Sequence, residues 1–159
     1  LHITDTATGR TAQATTQFLP SIPLDTVTYL LNDSLKAAML LYFYDQPNQD
    51  NYYKVWFANT SNIANSDSTY TWSFNDKTFD NGARIPVGMN YNYKVGDEVA
   101  VRLYHISETY YRFLESIDAA DSAADNPFAR PARIESNIEG GLGIFTAASY
   151  SEQIIEIVE

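Results

Sequence analysis

Leu35-Lys36-Ala37-Ala38-Met39-Leu40-Leu41-Tyr42-Phe43-Tyr44 decides the fold class. The odd positions Leu35, Ala37, Met39, Leu41 and Phe43 are all apolar, while the even positions mix Lys36 with Leu40, Tyr42 and Tyr44. A period of two with both faces largely apolar predicts a central β-strand. Upstream, Val27, Tyr29 and Leu31 alternate with Thr26 and Thr28 across Asp25 to Leu31, a half-buried strand closed by Asn32-Asp33-Ser34. Downstream, the stretch Asp45-Gln46-Pro47-Asn48-Gln49-Asp50-Asn51 has turn composition, and Tyr52 to Asn59 resumes a strand. The strands on either side of that turn are expected to form a hairpin.

The same reading extends in both directions. Leu1 to Asp5 is a strand end, Thr6 to Arg10 a turn, Thr11 to Leu19 is extended, and Pro20 and Pro23 break the ladder. Asn62 to Ser68 is a polar loop, after which Tyr70, Trp72 and Phe74 alternate with Thr71 and Ser73. Ile85 to Tyr93 contains Pro86 and Gly88, which places it at a sheet edge or a bulge. Glu98 to Ile106 turns Val99, Val101 and Leu103 inward. One helix follows: Ser107 is its N-cap, Tyr110, Phe113, Leu114 and Ile117 share a face, and Glu108 stands four residues before Arg112. Asp118 to Asn126 is expected to dissolve that helix, and Gln153 to Val158 to form a closing strand. Between them lie Asn126-Pro127-Phe128 and the run Ser136-Asn137-Ile138-Glu139-Gly140-Gly141-Leu142-Gly143-Ile144-Phe145. Its glycines imply a tight turn, with Ile138, Leu142, Ile144 and Phe145 as buried anchors. Short turns between so many strands exclude parallel crossovers. The expected fold is mainly β, an antiparallel β-sandwich with a β-barrel as the alternative, carrying one α-helix near the C-terminus.

Composition narrows the function. The chain has 159 residues, enough for a single β-rich domain over 1–159. Its 20 acidic against 10 basic residues give a net charge of −10, which opposes a nucleic-acid backbone. With no cysteine, disulfides, thiolate zinc sites and thiol catalysis drop out. The chain opens at Leu1 within an apparent strand, so it is expected to be a C-terminal fragment of a longer protein with its targeting information upstream.

Motifs for chemistry are sparse. His105 precedes Ser107 and Glu108, yet a triad is set by geometry, and a helix cap explains Ser107 equally well. Asp45, Asp50, Asp76 and Asp80 lie in turns beside Asn48, Asn51, Asn75 and Asn81, without the spacing of a calcium loop. Asx turns account for these residues. Gly140-Gly141-Leu142-Gly143 lacks the order of a phosphate cradle. Trp72 reads as core, whereas Trp56 shares its face with Tyr52 and Lys54, the pattern of a stacking platform for sugar or protein. The candidate ligand-binding residues are therefore Tyr52, Trp56, Asp45, Asp50 and Asn51, with no catalytic or metal residues and no cofactor.

Taken in order, several short motifs carry a resemblance. They are Ile3-Thr4-Asp5 with Thr8-Gly9, Ile22-Pro23-Leu24-Asp25, Phe43-Tyr44-Asp45, Asn51-Tyr52-Tyr53, Phe74-Asn75-Asp76 and Phe79-Asp80-Asn81-Gly82. They continue with Gly96-Asp97, Ile106-Ser107-Glu108-Thr109-Tyr110-Tyr111 and the stretch from Asn126-Pro127-Phe128 to Phe145. In these the chain resembles the C-terminal part of a Bacteroidota surface-lipoprotein family, domain of unknown function 4249. The resemblance implies a noncatalytic cell-envelope accessory or binding protein that partners a TonB-dependent outer-membrane receptor in nutrient capture. It further implies residence at the outer membrane through a lipid anchor outside this chain, with no direct membrane insertion by the chain itself. Two alternatives stand beside it: a structural or adhesive protein assembling through the edge strands near Ile85 to Tyr93 or Ile154 to Val158, and a hydrolase using Asp45, Asp50 or Glu108.

Overall fold

The computed structural model describes residues 1–62, 69–124 and 133–159. All of the expected Asn62 to Ser68 loop but Asn62, and the Asn126-Pro127-Phe128 run, lie outside them. The described residues form nine strands in three antiparallel sheets and one α-helix, with no closed barrel. They group into two compact units, Leu1–Leu19 with Ile106–Ala148, and Pro20–His105 with Ser149–Glu159.

The larger unit is the sandwich. Strands β3 (Leu24–Leu31), β4 (Lys36–Tyr44) and β7 (Arg84–Lys94) make one sheet in the order β3-β4-β7. The other runs β6-β5-β8-β9, from β5 (Tyr52–Asn59), β6 (Thr69–Asn75), β8 (Glu98–Ile106) and β9 (Ser149–Glu156). Alternation decides what each strand buries. The odd residues Ala37, Met39, Leu41 and Phe43 of β4 meet Val55 and Phe57 of β5 and Val99, Val101 and Leu103 of β8 in one core. Full burial of a side chain such as Leu41 or Leu103 contributes roughly 1.5–3 kcal/mol. Tyr70, Trp72 and Phe74 pack against that core partly buried, as an edge strand should.

The expected hairpin between β4 and β5 does not exist. Each strand is central in its own sheet, and the 45–51 segment carries the chain from one sheet to the other. Two strands so apolar on their inner faces gain more by facing each other across the core than by pairing edge to edge. The edge position expected for Ile85 to Tyr93 is found: β7 is an edge strand whose register against β4 shifts twice, between Ala37/Ala38 and between Ala38/Leu40. Leu35, in the turn before β4, adopts φ 57°, a left-handed conformation that a leucine rarely takes.

In the smaller unit, β1 (His2–Thr4) pairs with β2 (Thr11–Gln13) around the Asp5 to Arg10 turn. The Asp5 carboxylate accepts hydrogen bonds from the Thr8 hydroxyl and the Ala7 N–H, which hold its pKa below the usual range. Helix α1 (Glu108–Ala124) is capped by Ser107, whose Oγ accepts from the Tyr110 N–H at 3.2 Å, and the Glu108–Arg112 pair forms as expected. The helix runs past Asp118 instead of dissolving there. Ala119, Ala120, Ala123 and Ala124 have high helix propensity and outweigh the aspartates.

The glycine-rich run has a specific role here. Glu139 bridges Gln13 antiparallel, which brings Gly140 so close to β2 that a Cβ would lie 2.3 Å from the Thr11 carbonyl oxygen. With φ +79°, only glycine fits. Ile138, Ile144 and Phe145 are half-buried, but Leu142 is 91% exposed and anchors nothing. A residue between two glycines need not follow its neighbours inward, because the backbone on either side is free to turn it out.

Candidate functional site

At one end of the sandwich the crossover 45–51 meets the turn from Asp76 to Ala83 between β6 and β7. Two of the five residues singled out by sequence, Asp45 and Asn51, converge there, and Asp76 joins them. Asn51 is 1% exposed, Asp45 6% and Asp76 9%. The Asn51 Nδ2 faces four oxygens: Gln46 O at 2.7 Å, Asp76 Oδ2 at 3.0 Å, Asp45 Oδ1 at 3.1 Å and Gln49 O at 3.2 Å. Its Oδ1 accepts from Gln49 Nε2 at 2.8 Å, and its backbone N–H donates to Asp76 Oδ2 at 2.8 Å. Asp45 is held in turn by the Tyr53 hydroxyl at 2.7 Å and the Gly82 N–H at 3.2 Å.

An amide NH2 has two hydrogens, so these four oxygens share them in bent or bifurcated bonds. The two buried carboxylates are thus satisfied by neutral donors of the chain itself. Burial, and then the hydrogen bond and charge of Asp45, push the Tyr53 hydroxyl well above its ordinary pKa, so it stays a donor throughout the physiological range. Asn48, at φ 67°, closes the turn by donating its N–H to Asn81 Oδ1 at 2.7 Å. A cleft of about 350 Å³ opens above the network, with Asp50, Lys77 and Phe79 on its walls. Among the described residues, no group of three or more His, Cys, Asp or Glu side chains is arranged to hold a metal ion.

The remaining candidates part company. Asp50 is exposed on the cleft rim, whereas Tyr52 is 7% exposed and does not join Trp56 in a solvent-facing strip. Trp56 is half-buried on the outer face of the four-stranded sheet. The guanidinium of Arg102 lies 4.3 Å from the Trp56 ring centroid and 5.0 Å from that of Tyr150. Arg102 is also ion-paired with Glu152, its register partner on β9, and Tyr104 packs on Tyr150 at 5.2 Å. Burial opposes the Arg102 charge, yet the bonds to Glu152 and Tyr104 outweigh it and raise its pKa. This Trp-Arg-Tyr stack was not foreseen from the sequence. Its signal was the alternation of Arg102 and Tyr104 on β8 opposite Tyr150 and Glu152 on β9, which becomes readable only once that pairing is known.

The residues of the nucleophile-base reading have other tasks. His105, 3% exposed, bonds the Pro20 carbonyl through Nδ1 at 3.0 Å and stacks on Tyr53 at 5.8 Å. The Ser107 hydroxyl caps α1.

The molecule is thus a β-sandwich protein with a self-satisfied polar crossover at one end and an aromatic, arginine-centred patch on one outer face. The chain belongs to the family Domain of unknown function (DUF4249), whose model matches residues 1–154. No curated protein and no solved structure matches it.

Proposed function

We propose that this protein is a noncatalytic accessory or binding protein of the bacterial cell envelope, held at the outer membrane by a lipid anchor outside this chain. In this role it partners a TonB-dependent receptor in nutrient capture. The observation that carries the reading is the Trp56–Arg102–Tyr150 stack on the outer face of the four-stranded sheet. Trp, Arg and Tyr are the residues most enriched at the energetic centres of protein interfaces, and here all three are fixed before any partner arrives. Further support comes from Asp45 and Asp76, which are bonded to fixed donors rather than poised over a reacting group. No helix among the described residues is long and apolar enough to cross a membrane, in keeping with a separate anchor.

The test is affinity purification of the full-length protein from detergent-solubilised envelopes. Recovery of a β-barrel receptor that falls by tenfold or more with Arg102→Ala supports the reading, and recovery of no membrane protein refutes it. A second reading, assembly through sheet edges, is favoured by the position of β9 as an edge strand. Light scattering across a concentration series separates the two, since a strict monomer removes edge assembly.

A further inference from the structure

β6 and β7 are the edge strands of different sheets, and an open cleft of about 440 Å³ is lined by residues of both. Tyr70, Thr71 and Trp72 come from β6, and Met89, Asn90 and Asn92 from β7. We infer that this cleft binds a short neutral oligosaccharide, an assignment that names a ligand for the binding protein proposed above and rests on that reading.

Three observations lead there. First, every lining side chain is uncharged, although the chain carries −10 overall. A charged ligand would find no counter-ion in the cleft, while a polyhydroxylated neutral one needs none. Second, the cleft joins aromatic surface to side-chain amides. Trp72 stacks on Phe57 at 5.6 Å with an interplanar angle of 14°, which fixes its ring, and it turns its remaining surface to the cleft. The Asn90 and Asn92 amides make no hydrogen bond to the described residues. Each amide offers both donors and an acceptor, the pairing that vicinal hydroxyls require, and an apolar ring suits the C–H face of a pyranose. The hydroxyl of Tyr93, whose ring meets Tyr70 edge-on at 6.0 Å, is buried without a partner among the described residues.

Third, the two register shifts of β7 fall at Asn92 and in the Met89–Asn90 pair, so the inserted residues are the ones that line the cleft. Bulges re-aim side chains out of the regular pleat and sit preferentially beside functional sites. They also spoil the regular edge that an added peptide strand would need, so a saccharide is favoured over a peptide. At a strand rise of ~3.3 Å per residue the Gly88–Asn92 wall is roughly 13 Å long, the span of a di- or trisaccharide. The volume falls within the ~300–1,000 Å³ typical of small-molecule sites.

The experiment is isothermal titration calorimetry of the chain against neutral gluco-, manno-, xylo- and galacto-oligosaccharides, oligogalacturonate and an extended peptide set. At least one neutral oligosaccharide is expected to bind. The double variant Asn90→Ala/Asn92→Ala, altered only at exposed side chains, should weaken it about tenfold or more with an unchanged melting temperature. The inference is overturned if no neutral oligosaccharide binds at millimolar concentration, or if the double variant binds as well as the parent. It is also overturned if only oligogalacturonate or peptide binds. Receptor recovery by the full-length protein is scored separately, so loss of sugar binding with the receptor retained overturns the ligand and leaves the accessory role standing.

Discussion

Replacing Asn51 with alanine removes the one group that both buried carboxylates share. Its amide directs two hydrogens among Asp45 Oδ1, Asp76 Oδ2 and two backbone carbonyls, and its Oδ1 holds Gln49. Hydrogen bonds to charged groups contribute ~1.5–3 kcal/mol each. In Asn51→Ala, Asp45 keeps the Tyr53 hydroxyl and the Gly82 N–H, and Asp76 keeps the backbone N–H of position 51. The loss is therefore partial, about 3–5 kcal/mol, out of a total stability of roughly 5–15 kcal/mol. With a urea m-value of about 2 kcal/mol/M, the midpoint should fall by about 2 M, with the slope unchanged. Asn51→Asp keeps the shape but replaces the donor with a third carboxylate, so its deficit should be larger at neutral pH. A midpoint for Asn51→Ala within 0.3 M of the parent (about 0.6 kcal/mol) would refute the view that the amide's hydrogen bonds hold the two carboxylates in place.

Three further outcomes follow from the structure. Gly140→Ala places a Cβ 2.3 Å from the Thr11 carbonyl at φ +79°, and should cost about 3 kcal/mol locally. It is detected as loss of hydrogen-exchange protection at the reciprocal Gln13 and Glu139 amides while the sandwich amides stay protected. Leu35→Gly relieves a leucine held at φ 57° with 43% of its surface exposed, and should raise stability by about 1 kcal/mol in a thermal melt. Burial pushes both Tyr53 and Tyr93 above the ordinary tyrosine pKa, with Asp45 adding to the first and Tyr70 and Asp97 to the second. A raised folded pKa means that their contribution is complete below pH ~10 and lost as pH climbs through the folded values. In an ultraviolet tyrosinate titration, at least these two of the 12 tyrosines should ionise only as the chain unfolds.

Strand positions were legible because alternation is local: β3, β4, β6 and β8 can be found from the faces of Val27, Met39, Trp72 and Val101 alone. Strand partners were not, since the composition of 45–51 suits a hairpin turn and a sheet-to-sheet crossover equally well. What distinguishes them is Asp76, 25 residues beyond Asn51, and no local pattern announces it. The same limit explains the candidate site. As turn residues Asp45 and Asn51 are expected to face a ligand, whereas the Asp76 carboxylate and the Tyr53 hydroxyl draw them in. Family membership was readable from motif order, and the structure supplies a reason for one motif: Gly140 is fixed by its approach to β2.

Each of the two units is assembled from segments that are not neighbours along the chain, 1–19 with 106–148 and 20–105 with 149–159. During synthesis Gln13 must therefore wait 126 residues before its bridging partner Glu139 emerges. In the sandwich, β8 has no β9 until residues 149–156 leave the ribosome. Such long sequence separations slow folding and leave strand edges open in the meantime. This interleaving makes the molecule dependent on late, nearly simultaneous closure, so a nascent chain stalled before Ser149 would be a target for holdase chaperones and proteases.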